Sequence, residues 1–283
     1  MHHRLLPLPV AAALFIAGTA LPARADIFTV DNFSVTGSAG TLFNDTFSEG
    51  TTLNPGVTSS GINLSTGAPA NYLVTGAGPI TEANGLATLN TANGAPIPSI
   101  GTPFPTINQL SAQLLVGLSL SSNFSTAGIF NLSLPSAAFN SYGVQLIDLN
   151  AAQNGSIAAL RIVKAANGSN VVSFLKLDRI NDTSTVIGSA VLDATQSEIL
   201  LELSQTAGSD LISASYEYID NGVDGPLTAF GATADLSGDG ATARRAAFNA
   251  NGVIPEPATL ILFASGLLGL GWLQAHGRRK IGI

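Results

Sequence analysis

Alternation of apolar and polar residues dominates the middle of the chain and predicts β-strands. It is clearest between Asp210 and Asp220. A period of two residues places successive side chains on opposite faces of a strand, so one face of this segment would be buried. The inward set would be Ile212, Ala214, Tyr216 and Tyr218, and the outward set Ser213, Ser215 and Glu217.

Turn residues divide the pattern into about a dozen strands, without a long amphipathic helix. Asn154-Gly155, Asn167-Gly168 and Asn221-Gly222 are hairpin signals, because Asn and Gly accept the positive φ of type I′ turns. Prolines 96, 98, 103 and 105 predict a rigid loop. The predicted strands are Ile27–Val35, Thr41–Phe47, Asn71–Thr75, Leu86–Asn90, Gln113–Asn123, Ile129–Leu134, Tyr142–Leu149, Ser156–Lys164, Asn170–Ile180, Thr185–Leu192, Glu198–Ser204 and Asp210–Asp220.

Many short antiparallel strands in one domain predict an all-β fold, an antiparallel β-sandwich of two sheets. The segments TLFNDTFS at 41–48, ILLELS at 199–204 and SASYEY at 213–218 resemble strands of the concanavalin A-like jelly rolls. This resemblance implies a jelly-roll-like architecture. It rests on strand pattern, so it implies no site.

The first 25 residues have the pattern of a secretory signal peptide. A weakly positive start precedes an apolar stretch over 10–21, and Ala23 and Ala25 occupy the −3 and −1 positions before Asp26. Signal peptidase reads small residues at these positions, so we expect cleavage after Ala25. A first transmembrane helix is the alternative, but the stretch falls short of the roughly 20 residues that a bilayer requires.

The other end of the chain has the pattern of a membrane stop. Residues 258–275 read ATLILFASGLLGLGWLQA and carry no charge, and the tail 276–283 contains Arg278, Arg279 and Lys280. We expect a transmembrane helix over 258–275, with the basic tail held in the cytoplasm by the positive-inside rule. The alternative is a buried core helix, which the adjacent basic cluster disfavours.

The tripeptide Pro255-Glu256-Pro257 precedes that apolar segment. Proline fixes its own φ and restricts the residue before it, so the tripeptide is extended. Tripeptide, apolar segment and basic tail together make residues 253–283 resemble the PEP-CTERM sorting signal. The resemblance implies export in a Gram-negative bacterium that makes extracellular polysaccharide, transient anchoring in the inner membrane, and processing near Pro-Glu-Pro by an exosortase-type membrane protease.

The charge of the region between these segments excludes some partners. Residues 26–254 contain six Lys or Arg and 17 Asp or Glu, a net charge of −11, and no cation occurs between Arg24 and Arg161. Nucleic acid requires clustered cations, so we expect no nucleic-acid partner.

The absence of histidine and cysteine excludes several kinds of catalytic and metal-binding site from the same region. The chain has no Cys, and His2, His3 and His276 all lie in the terminal segments. Catalysis by Ser-His-Asp or Cys-His groups and imidazole-bound metals are therefore excluded from residues 26–254. Carboxylate chemistry, oxygen-ligated Ca²⁺ or no chemistry remain.

Four sequence patterns resemble metal-binding or catalytic sites. Asp235 and Asp239 begin a loop like that of an EF-hand, but its twelfth position is Ala246; Asp220 and Asp224 form a second such loop. Weak Ca²⁺ binding is a minor alternative to simple turns at both loops. Glu198 and Glu202 share a strand face about 13 Å apart, too far for a retaining glycosidase. Ser173 and Lys176 match S-x-x-K, but a strand places them on opposite faces.

We therefore expect residues 26–252 to form a non-enzymatic, exported β-sandwich without a cofactor, at the cell surface or in a biofilm matrix. Its expected role is structural or glycan-associated, with extracellular polysaccharide as a partner. One alternative is a carboxylate-dependent glycoside hydrolase. Another is a permanently anchored envelope protein that keeps its C-terminal helix.

Overall fold

Alternating burial along the chain produces a fold of antiparallel strands. The computed structural model describes residues 25–63, 68–97, 107–152 and 155–253. Besides strands, these ranges contain a 3₁₀ turn at Thr91–Asn93. The strands are β1 (Ile27–Gly37), β2 (Gly40–Asp45), β3 (Gly56–Asn63), β4 (Ala68–Thr75), β5 (Thr81–Ala83), β6 (Leu86–Asn90), β7 (Ala95–Ile97), β8 (Ile107–Leu114), β9 (Leu118–Ser119), β10 (Phe124–Asn131), β11 (Ser141–Leu149), β12 (Ile157–Lys164), β13 (Asn170–Asp178), β14 (Thr183–Val191), β15 (Glu198–Gln205), β16 (Leu211–Asp220), β17 (Val223–Asp224), β18 (Thr228–Ala229), β19 (Ala234–Asp235) and β20 (Ala243–Val253).

Strand pairing defines two antiparallel sheets. The front sheet consists of β4, β8, β20, β11, β12, β13 and β14, in that order. The back sheet consists of β2, β1, β10, β15 and β16, in that order. Strand β3 pairs with both β2 and β4 and so joins the two sheets at one edge. The short strands pair along the margins, for example β6 with β1 and β9 with β20.

Apolar side chains of the two sheets meet in one core. The Phe248 ring of β20 lies 5.1 Å from that of Phe33 on β1, and the Tyr142 ring of β11 lies 5.4 Å from that of Phe130 on β10. These strands are not hydrogen-bonded partners, so the ring contacts join one sheet to the other. The predicted all-β sandwich is therefore confirmed.

Strand predictions agree with the structure best after residue 140, where β11 to β16 lie close to the expected ranges. Asn221 and Gly222 have φ of 51° and 76° and close the hairpin between β16 and β17, as expected for a type I′ turn. The strand expected over Gln113–Asn123 is wrong: β8 ends at Leu114. Pro96, expected in a loop, lies in the edge strand β7, where proline is tolerated.

The largest correction concerns β20, which the sequence pattern did not predict. It reads ARRAAFNANGV and lies between β8 and β11 in the front sheet. Seven consecutive residues of this strand, from 246 to 252, are buried, so both of its faces are covered. A strand buried on both sides shows no polar-apolar alternation, which is why periodicity could not identify it.

The expected signal peptide over 1–25 and the expected membrane helix over 258–275 lie outside the described residues, apart from Ala25. None of the described residues lies in a helix with the length and hydrophobicity that crossing a bilayer requires.

A buried ionic group links the two sheets at one end of the sandwich. The Arg244 side chain on β20 has no exposed surface. Its Nε lies 2.7 Å from Oδ1 of Asp148 on β11, its Nη2 lies 3.0 Å from Oδ1 of Asp210, and its Nη1 donates to Oε1 of Gln205 on β15. Burial raises the pKa of Asp148 to about 6, against the opposing effect of Arg244. The Arg244 charge is thus fully partnered inside the protein.

We expect Phe248→Ala to lower the free energy of unfolding by about 3–5 kcal/mol, because it leaves a cavity between the sheets. The matched control is Val191→Ala on β14, where the side chain is 80% exposed, with an expected change within about 0.5 kcal/mol. Urea denaturation measures both. Equal effects of the two substitutions would contradict the central position of β20.

We expect Arg244→Met to destabilise the sandwich by about 3–5 kcal/mol, because it leaves the Asp148 carboxylate buried without its cation. Urea denaturation at neutral pH measures the loss. A change below about 1 kcal/mol would show that the Arg244 ion pairs do not hold the two sheets together.

Candidate functional site

The front sheet buries side chains on both of its faces. On β12, Leu160 and Ile162 belong to the core between the sheets, whereas Ala159 belongs to a second apolar cluster. Because side chains alternate along a strand, Ala159 and Arg161 point to the other side, which we call the outer face. Antiparallel sheets commonly expose one face to water. The front sheet is therefore covered on both of its faces.

One register of the front sheet places small polar residues in a row across the outer face. Neither the hydroxyl of Ser111 nor either amide atom of Asn249 has a hydrogen-bond partner, and both side chains are completely buried. A buried polar group without a partner costs about 1–3 kcal/mol of stability. The aligned residues, which we call the polar row, are Ser111, Asn249, Gly143, Arg161, Ser173 and Ser189.

The next register on the same face is satisfied internally. The Gln109 amide donates to Oδ1 of Asn251 at 3.2 Å, and the Asn251 amide donates to the hydroxyl of Ser141 at 3.1 Å. This chain of bonds fixes the orientation of three polar side chains. The unpartnered groups of the polar row are therefore not a general property of the outer face.

No carboxylate among the described residues forms an ion pair with Arg161. Its side chain is 8% exposed, its Nη2 donates to Oε1 of Gln145 at 3.2 Å, and its Nε has no partner. Burial, together with the neighbouring cation Arg179, lowers its pKa to about 10. The guanidinium is still protonated at neutral pH. The outer face thus contains a buried, uncompensated positive charge.

Two more arginines share this property. Burial lowers the pKa of Arg179 and of Arg245, and neither forms an ion pair. Within the described residues both ion pairs belong to Arg244. The described region has many more acids than bases, yet these three arginines form no ion pair within it.

A cavity of about 330 Å³ lies against Arg161 and Arg179 on the outer face. Ser173 of the polar row and Asn251 also line it, and no acidic residue does so among the described residues. Its remaining wall is largely aliphatic. That wall includes Ile107, Ile157, Val163, Val171, Leu175 and Val186.

The glutamates considered as catalytic residues in the sequence lie away from this cavity. Glu198 and Glu202 occupy the partly exposed face of β15 in the back sheet. Burial and the nearby Asp31 raise the pKa of Glu198, and Glu202 accepts from the Ser215 hydroxyl at 3.3 Å. Ser173 is buried on the outer face, and Leu175 and Leu177, the neighbours of Lys176, belong to the outer-face cluster. Lys176 therefore points to the opposite face, as predicted.

The loops considered for calcium do not assemble an ion site. Oδ1 of Asp235 accepts from the Ser237 backbone at 2.8 Å, which lowers its pKa, and Oδ2 of Asp239 accepts from the Ser156 backbone. Asp220 and Asp224 flank the β16–β17 hairpin, where Oδ1 of Asp220 accepts from the Asn221 amide. The described residues contain no group of three or more His, Cys, Asp or Glu able to hold a metal.

The remaining residues predicted from the sequence lie outside the described part of the chain, apart from Ala25, which is exposed. They are Ala23, Pro255, Glu256, Pro257, Arg278, Arg279 and Lys280.

Sequence reasoning missed the polar row and both arginines of the cavity. A signal for Arg161 was present, because it interrupts the otherwise apolar run IAALRIV of a predicted strand. A cation in the middle of such a run must be buried, and burial of an arginine requires a partner. Ser111 and Asn249 gave no comparable signal, since their strands were not predicted.

Comparison with solved structures finds weak likenesses. Lectin II from Ulex europaeus gives a TM-score of 0.41 at 9% identity, covering 65% of this chain and 86% of the lectin. The lectin UEA-II complexed with galactose gives a TM-score of 0.38 at 9% identity, covering 81% and 92%. A GH43_12 retrieved from capybara gut metagenome gives 0.37 at 12% identity, covering 61% of this chain but 29% of that protein. These scores are too low to establish a shared fold or activity.

Sequence comparisons are informative at the C-terminal end alone. Curated protein sequences include no significant match to the chain. A family model described as the PEP-CTERM protein-sorting motif matches residues 253–279, the range that contains Pro255-Glu256-Pro257 and the apolar segment. The chain therefore carries a PEP-CTERM protein-sorting motif, which indicates an exported protein sorted by an exosortase-type system.

Proposed function

We propose that this protein is an exported binding protein of the cell envelope or extracellular matrix, whose front sheet holds a ligand on its outer face. The observation that supports binding is Arg161 of the polar row, which lines the cavity and is buried with its Nε unused. Groups of this kind destabilise the free protein and gain partners when a ligand is bound.

The sorting half of the proposal follows from the PEP-CTERM motif. Residues 1–25 direct export and are removed after Ala25, and residues 258–275 anchor the chain transiently in the inner membrane. An exosortase-type protease then processes the chain near Pro255-Glu256-Pro257, which releases residues 26–252 to the surface or matrix. The strongly acidic composition of that region supports the absence of a nucleic-acid partner.

Binding without turnover is the role that the cavity supports. Glycoside hydrolysis requires two carboxylates beside the substrate, and none of the described residues around the cavity is acidic. Glu198 and Glu202 lie on the back sheet and do not line this cavity. We therefore propose no catalytic residue and no cofactor. Extracellular polysaccharide, implied by the sorting resemblance, remains the expected environment of the mature protein.

We expect Arg161→Met to stabilise the ligand-free protein by about 1–2 kcal/mol, because it removes a buried charge that no carboxylate compensates. Thermal unfolding of the purified chain measures the shift. Arg244→Met is expected to lower the stability instead, so the two buried arginines serve as a matched pair of substitutions. A loss of stability in Arg161→Met equal to that in Arg244→Met would show that Arg161 is a structural residue and would overturn the binding proposal.

We expect the secreted protein to begin at Asp26 and to lack residues 258–283. Intact-mass spectrometry of the secreted form, together with N-terminal sequencing, measures both ends. Glu256→Ala is expected to leave the protein in the membrane fraction with its C-terminal segment attached, if the rigid acidic tripeptide is what the protease reads. A secreted form that retains 258–283 would contradict the processing proposal.

A further inference from the structure

We propose that the cavity binds an amphiphilic organic acid, with its carboxylate held by Arg161 and Arg179 and its hydrocarbon body along the aliphatic wall. This inference rests on the proposed binding function and adds the chemical class of the ligand. It is argued from the charge of the cavity, from its polarity and from the residues that it lacks.

The charge requires an anion. Arg179 is close enough to Arg161 to disfavour its charge, and no acidic residue lines the cavity within the described part of the chain. A guanidinium presents donors in a planar fork that matches a carboxylate. Nε of Arg161 has no partner, and the hydroxyl of Ser173 is on the adjacent strand in the same register. A carboxylate beside Arg161 would neutralise the buried charge and use its free donor.

The wall of the cavity requires an apolar body. Strands β12 and β13 contribute Ile157, Val163, Val171 and Leu175 to it, and β14 contributes Val186. The cavity volume of 330 Å³ is at the small end of ligand pockets, which suits a short chain. Burial of aliphatic carbon on these side chains is favourable by about 0.8 kcal/mol for each methylene group.

Among the described residues, a sugar in this cavity would meet one aromatic ring, that of Phe139. Glycan recognition commonly uses an aromatic platform, and tyrosines are the amphipathic rings of the described region. Tyr72 and Tyr142 are completely buried in the core between the sheets, and Tyr216 is 8% exposed. None of them lines the cavity. The combination of a cationic end and aliphatic walls therefore favours a fatty-acid-like carboxylate over a uronic acid.

The experiment measures binding of [1-¹³C]octanoate to the purified full chain by the ¹³C resonance of its carboxyl group. All samples contain the same non-ionic detergent, so partition into micelles is common to every arm. Octanol tests whether binding requires the negative charge, because it keeps the hydrocarbon chain without the carboxylate. Glucuronate tests whether binding requires the hydrocarbon chain, because it keeps the carboxylate on a sugar ring.

We expect saturable octanoate binding, weakened about tenfold or more in Arg161→Met and in Arg161→Gln. Arg245→Met is the matched control: Arg245 is another arginine without an ion pair, but it does not line the cavity, so binding should be unchanged. Thermal unfolding of each variant shows that the loss of binding is not a loss of folding. Octanol and glucuronate should each bind about tenfold or more weakly than octanoate.

Three results would overturn the inference. Octanol binding as tight as octanoate would remove the requirement for an anion. Glucuronate binding tighter than octanoate, and lost in Arg161→Met, would replace the hydrocarbon body with a sugar while leaving the proposed binding function intact. Absence of saturable binding by all three probes, together with destabilisation by Arg161→Met, would overturn the proposed function as well.

Discussion

Strand β20 is paired on both sides, with β8 and with β11, and this constraint controls both faces of the front sheet. Because the pleat alternates, Phe248 enters the core against the back sheet while Asn249 points to the outer face. The core contact and the polar row are therefore neighbours in sequence. A shift of one residue in the register of β20 would exchange them, placing an amide in the core and an aromatic ring in the polar row. The core thus fixes the position of the candidate site.

Two buried arginines show how the same side chain can serve opposite purposes. Arg244 is placed against Asp148 and Asp210, and its donors are used within the protein. Arg161 has the side-chain amide oxygen of Gln145 as its partner and lies near a second cation. Removing either guanidinium from water costs free energy. At Arg244, attraction to the carboxylates of Asp148 and Asp210 offsets that cost, whereas Arg161 has no such carboxylate among the described residues. Within the described residues, the fold therefore compensates the charge of Arg244 with carboxylates and leaves that of Arg161 without one.

The limits of sequence reasoning follow from the same geometry. The strand over Asp210–Asp220 could be predicted because it is half-buried, and its alternation is visible in the residues. The hairpin at Asn221-Gly222 could be predicted because its backbone needs positive φ. Strand β20 could not, since burial on both sides removes alternation, and Ala and Asn carry no strand preference of their own. Without β20 the register that aligns Asn249 with Arg161 has no basis in the sequence.

The two halves of the functional account depend on different kinds of information. A sorting motif is a local pattern, so Pro255-Glu256-Pro257 with its apolar segment and basic tail could be recognised from the sequence. The candidate ligand site is formed by residues from β8, β20, β11, β12, β13 and β14, which pairing alone brings together. Its chemistry depends on an absence of acids among the described residues around the cavity, and such an absence is a property of the three-dimensional arrangement.

The most direct test of this account is a crystal structure of the protein purified from its own host, read at the guanidinium of Arg161. The account predicts that no carboxylate of the chain contacts this group and that a non-protein anion with an apolar body lies against it. A salt bridge from Arg161 to an Asp or Glu of the same chain would contradict it, because the buried charge would then be part of the fold.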